Sequence, residues 1–111
     1  MTVNEYQIAA LRTANKALSM EELLLDGILG MNGEAGECSD IMKKHLFQGH
    51  DLDKEHLMKE CGDVAWYLAI TAYALGYTLD DVLAANMAKL ANRYPDGFDE
   101  LRSRNRKVGD V

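Results

Sequence analysis

Proline occurs once in this 111-residue chain, tryptophan once and cysteine twice. With only Pro95 and no low-complexity tract, the sequence lacks the composition that keeps a chain disordered, except at its ends. The two cysteines, Cys38 and Cys61, are too few for a structural zinc site unless histidines complete it. His45, His50 and His56 lie around a polar stretch and read as solvated. Both cysteines therefore read as small apolar side chains in a core. Basic residues are also scarce, 12 against 18 acidic, for a net charge of −6. That balance argues against binding a nucleic-acid backbone, which needs a basic patch. A phosphorylated small molecule can still bind where metal ions bridge two sets of negative charge. The residues from Met1 to Gln7 are polar and lack the apolar core of a secretory signal. The expectation is a cytoplasmic protein with reduced thiols. No strand-like alternation occurs, which leaves the all-α class.

Hydrophobic residues make up 48% of the chain, enough for one domain over 1–111 with 99–111 as a surface tail. Asn4 to Ala17 reads as a first helix, with Thr2 and Asn4 available as caps. Ser19, with Glu22 three residues on, forms a capping box that opens a second helical stretch to about Phe47. Gly30-Met31-Asn32-Gly33 either bends it as one long helix or divides it into two. Gln48 to Lys54 is a polar loop. A third helix runs from about Lys54 to Leu75, apolar on nearly every side beyond Val64, and stops at Gly76. That apolar half marks a buried central helix, well short of the ~20 residues needed to cross a bilayer. Thr78 caps a fourth helix that ends near Tyr94. The tail from Asp96 alternates in charge.

Two short motifs carry the chemistry. Glu34-Ala35-Gly36-Glu37 and Glu60-Cys61-Gly62-Asp63 each place two carboxylates three residues apart, on one helical face. Side by side, the two helices gather four acids that repel one another unless a cation neutralises them. All-oxygen ligands favour Mg2+ or Mn2+ over zinc. Each pair extends into a stripe: Glu34, Glu37, Asp40 and Lys44 on one helix, His56, Glu60, Asp63 and Tyr67 on the other. A charged stripe is ordinarily a solvated face. Against that, the Asp63 stripe enters the most apolar segment of the chain, and both motifs share the form Glu-x-Gly-acid. Glycine inside a helix costs about 1 kcal/mol relative to alanine, so Gly36 and Gly62 call for a reason, such as close approach of a backbone or ligand. Gly30, Gly33 and Gly36 do not make a phosphate loop, lacking the strand before and the Gly-Lys-Ser/Thr after. They read instead as a kink or close helix packing. Asn86, Lys89 and Arg93 share a face of the fourth helix. They form either an exposed basic edge or a phosphate clamp, with lysine as point charge and arginine as fork. Trp66, Tyr67 and Tyr94 could stack on a base or fill a core.

The two acid pairs, 22 residues apart, resemble the signature of the MazG-like all-α nucleoside triphosphate pyrophosphohydrolases. The likeness extends to Asn4-Glu5-Tyr6-Gln7, Arg12-Thr13-Ala14, the helix around Trp66-Tyr67-Leu68, and Asn86-Met87-Ala88-Lys89-Leu90 with Arg93-Tyr94-Pro95-Asp96-Gly97-Phe98. The resemblance implies a four-to-five-helix bundle that hydrolyses a nucleoside triphosphate to the monophosphate and pyrophosphate. It implies a homodimer or dimer of dimers, with sites near subunit interfaces. Glu34, Glu37, Glu60 and Asp63 would hold Mg2+, with Mn2+ as a substitute. Lys44 (or Lys43), Tyr67, Asn86, Lys89 and Arg93 would face the nucleotide. A carboxylate not used up as a ligand could orient the attacking water or take its proton. Glu37 is the choice for that role, with Glu34 as its neighbour in the motif. The alternatives are phosphoribosyl-ATP pyrophosphatase, a related all-α enzyme, and a non-catalytic helical dimer that binds a protein partner.

Overall fold

A computed structural model describes all residues, Met1–Val111, as five helices: α1 (Val3–Leu11), α2 (Met20–Phe47), α3 (Lys54–Ala74), α4 (Leu79–Arg93) and α5 (Glu100–Arg104). The chain is all-α, its nearest approach to a strand being an isolated bridge between Pro95 and Gly97. It forms two compact units, Met1–Leu79 and Asp80–Val111.

Local chemistry sets most helix ends in the first unit. Thr2 caps α1 through Glu5 N–H, and Asp53 caps α3 through His56 N–H. The Ser19–Glu22 capping box opens α2, with both reciprocal bonds made. Gly76 takes φ 86° just past the end of α3, a left-handed conformation that glycine adopts without strain. α1 stops at Leu11, short of the expected Ala17. Thr13 donates its hydroxyl to Ala10 O, and Asn15 accepts from Ala17 N–H. Such side-chain bonds offer the backbone an alternative to the helix.

α2 is one helix of 28 residues, undivided at Gly30 or Gly33. It runs antiparallel to α3, and glycine brings the two close together. Thr71 fills the space where a Gly27 side chain would stand, its Cα 3.3 Å from that point, and the Tyr67 ring does the same at Gly30. Gly33, Gly36 and Gly62 face open space. Close helix packing thus accounts for Gly30, while the motif glycines Gly36 and Gly62 touch nothing in the chain.

The core gathers Ala10, Leu23, Ala69, Ile70 and Leu79, with Tyr6, Leu11, Leu18, Trp66 and Leu68 packed on it. As expected, the second half of α3 lies at its centre, with Ala69, Ile70, Thr71 and Ala72 buried. Gln7 ties the unit together. Its amide donates to Ala69 O at 3.1 Å and Tyr77 O at 3.2 Å and accepts from Leu79 N–H at 3.0 Å. Buried polar groups persist only when satisfied in this way.

In the second unit the anchor is an ion pair. Arg93 Nε donates to Asp110 Oδ2 at 2.8 Å and Nη2 to Oδ1 at 2.7 Å, with side chains 9% and 5% exposed. Tyr94 packs on Phe98, ring centroids 5.5 Å apart. The tail is not featureless: Asp99 accepts from Leu101 and Arg102 N–H and so starts α5.

Candidate metal centre

Glu34 on α2 and Glu60 and Asp63 on α3 meet across the helix seam. Each offers a carboxylate oxygen, and the three oxygens lie within 4.8 Å of one another. Glu34 and Glu60 are half-buried and Asp63 is exposed. The proximity is felt electrostatically. Glu34 is held above the ordinary value of 4.5, first by the hydrogen bond it donates to Glu60 when protonated. Partial burial adds to this, as do the charges of Glu60, Asp63 and Glu37. Carboxylates this close repel one another, which disfavours the charged form of each. The geometry fits a hard divalent ion, which takes oxygen ligands and relieves that repulsion.

Glu37, expected as the fourth acid of this group, does not join it. The seam on α2 passes through Gly27, Gly30 and Glu34, steps of three and four. Continued by four it reaches Cys38. At 3.6 residues per turn, Glu37 falls on the flank of that line. It lines a cavity of about 300 Å³ with Asp40, Ile41, Lys44, His50, Asp51, Asp53 and His56. Glu37 still adds to the field that raises Glu34.

Lys44 is paired with Asp40 at 2.8 Å, and Lys43 lies 3.7 Å from the same carboxylate. This holds Asp40 below its ordinary range and Lys44 above its own. His56 Nε2 lies 3.1 Å from Glu60 Oε1, and the His56 ring is 55% exposed. Tyr67 is half-buried against Gly30 and meets Trp66 edge to face, centroids 5.0 Å apart. Trp66 donates to Thr13 Oγ1 at 2.9 Å and packs on the core.

In the second unit Asn86 and Lys89 are exposed on α4. The Arg93 fork, expected to face phosphate, is already filled by the Asp110 carboxylate, which holds Arg93 above its usual value. Nothing local to Arg93 in the sequence announces a partner 17 residues on.

The cysteines depart from the expected core role. Cys61 is exposed and Cys38 half-buried, and both are free. Burial first, with the charges of Glu60 and Glu34 adding to it, holds the Cys38 thiol above its ordinary value of 9.0.

Three carboxylates gathered between antiparallel helices could together hold a divalent metal ion. Residues 20–98 match the MazG nucleotide pyrophosphohydrolase domain. The chain is also 33% identical over 114 residues to the "Gene 37 protein" of Mycobacterium phage L5, covering 96% of this chain and 100% of that one. The chain belongs to the MazG nucleotide pyrophosphohydrolase family. No solved structure matches it. No helix is long and apolar enough to cross a membrane.

Proposed function

We propose that this protein hydrolyses a nucleoside triphosphate, deoxy or modified nucleotides included, between the α and β phosphates in a Mg2+-dependent reaction. The observation that carries the reading is the Glu34–Glu60–Asp63 group, three oxygens within 4.8 Å of one another, in a chain whose residues 20–98 match the family. These three acids would hold the ion, for which Mn2+ could substitute. Bound there, a divalent ion neutralises the polyphosphate and makes an attacking water more acidic. Glu37, exposed on the flank of the group, would orient that water and take its proton. Lys44, in the same unit as the acids, is a cation offered to the phosphates.

A homodimer is part of this reading. Leu25, Ile28 and Leu29, exposed at 59%, 47% and 61%, form one stripe on α2, an apolar surface that a second copy can cover.

The test is product analysis over a panel of ordinary, deoxy and damaged nucleoside triphosphates, with Mg2+ and with chelator. Monophosphate and pyrophosphate are expected. Orthophosphate with a diphosphate would move the cut to another bond, and no turnover of any substrate would leave a binding module. Light scattering at micromolar concentration checks the dimer.

A further inference from the structure

We propose that the second unit, Asp80–Val111, carries an anion site of its own, in which Arg102, Arg106 and Lys107 take a small ligand bearing two or more phosphate groups without a metal ion. The stretch Arg102-Ser103-Arg104-Asn105-Arg106-Lys107 has four cations and no acid, in a chain whose net charge is −6. It lies beyond residues 20–98, the part matched by the family. Asp99 starts α5 through Leu101 and Arg102 N–H, and Asn105 N–H closes it on Leu101 O. A turn follows, in which Asp110 N–H donates to Lys107 O at 3.0 Å and Gly109 takes φ 88°. That turn folds the tail back so that Asp110 meets the Arg93 fork. Two adjoining cavities walled by cations result.

The smaller cavity, about 40 Å³, is lined by Arg93, Arg102, Arg106 and Lys107, with the amides of Asn92 and Asn105. The larger, about 420 Å³, shares Asn92 and Lys107 with it and adds Lys89 and the tail as far as Val111. Asp110 is the one acidic side chain on either wall, and its carboxylate is spent on Arg93 at 2.7 and 2.8 Å. Arg102, Arg106, Lys107 and Lys89 form no ion pair with a carboxylate. Cations gathered in this way repel one another, and an anion among them relieves the repulsion. Arginine matches phosphate oxygens two at a time, and lysine adds a point charge. Cations line both cavities, so the ligand that satisfies them carries charge in two places, as linked phosphates do. A small ligand fits better than a nucleic-acid strand, because the cations line concave walls and the acidic remainder of the chain repels a long polyanion. Nothing in this site draws on Glu34, Glu60 or Asp63.

The test is calorimetric titration of the whole chain with inorganic tripolyphosphate in metal-free buffer, beside orthophosphate. One tripolyphosphate should bind per chain, about tenfold or more tighter than orthophosphate. Arg102→Ala and Arg106→Ala should each weaken it by about tenfold or more, the loss of a charge-assisted hydrogen bond or two. Arg104→Ala removes a cation of the same run that lines neither cavity, and it should bind as the wild type does. Glu34→Gln should also bind unchanged. The three arginines are exposed, so their variants should melt with the wild type. Four results would each overturn the proposal: no binding in metal-free buffer, equal weakening by Arg104→Ala and Arg102→Ala, loss of binding in Glu34→Gln, or tighter binding of a single-stranded oligonucleotide than of tripolyphosphate.

Discussion

Replacing Gly30 with alanine tests whether glycine sets the spacing of α2 and α3. A side chain at Gly30 would enter the Tyr67 ring. That ring cannot simply swing away, because it packs edge to face on Trp66, which is hydrogen-bonded to Thr13. Overpacking of this kind costs about 1–3 kcal/mol. Against it stands the gain in helix propensity from glycine to alanine, about 1 kcal/mol. Gly36 is the control on the same helix, with nothing within 4 Å of a side chain placed there. Gly36→Ala should keep the propensity gain and incur no clash. The propensity effect cancels between the two variants, so their difference is the steric cost, about 2 kcal/mol. For a chain of this size that separates the melting temperatures by about 8 °C, Gly30→Ala below Gly36→Ala. Far-ultraviolet circular dichroism in chelator measures both, with Gly33→Ala expected to follow Gly36→Ala. Gly30→Ala melting at or above Gly36→Ala would refute the argument that Tyr67 needs the glycine.

Three further outcomes follow from individual contacts. Because the folded chain holds Glu34 above 4.5, Glu34 contributes stability below about pH 4.5. That contribution is lost as pH rises through the raised folded value. Melting curves across pH should show this in chelator and much less with Mg2+, and Glu34→Gln should abolish it. Gln7→Ala leaves Ala69 O, Tyr77 O and Leu79 N–H without their partner, at a cost of about 2–4 kcal/mol by urea titration. Arg93→Ala strands the nearly buried Asp110 carboxylate and should lower the melting temperature. Lys89→Ala, on an exposed position, should leave it almost unchanged, so equal effects would contradict the ion-pair geometry.

Capping residues and glycine stops operate over three or four residues, which is why the limits of α2 and α3 could be read from Ser19, Glu22 and Gly76. The acid pairs were legible for the same reason, as a spacing of three always shares a helical face. The all-α class followed from the absence of alternation. Which of the four acids meet was decided by tertiary structure. The seam of Gly27 and Gly30 against Thr71 and Tyr67 rotates α2 so that Glu34 faces α3 and Glu37 does not. That rotation depends on the shape of the opposing helix, a property no single segment contains. Cys61, which the sequence assigned to a core, is instead exposed. The partner of Arg93 was equally hidden, since a carboxylate 17 residues away finds a guanidinium only after the tail has folded back. The sequence by itself determined the all-α class, the limits of α2 and α3 and the stock of charges. Packing determined which charges became neighbours, because interaction between them falls with distance and only the folded chain sets that distance.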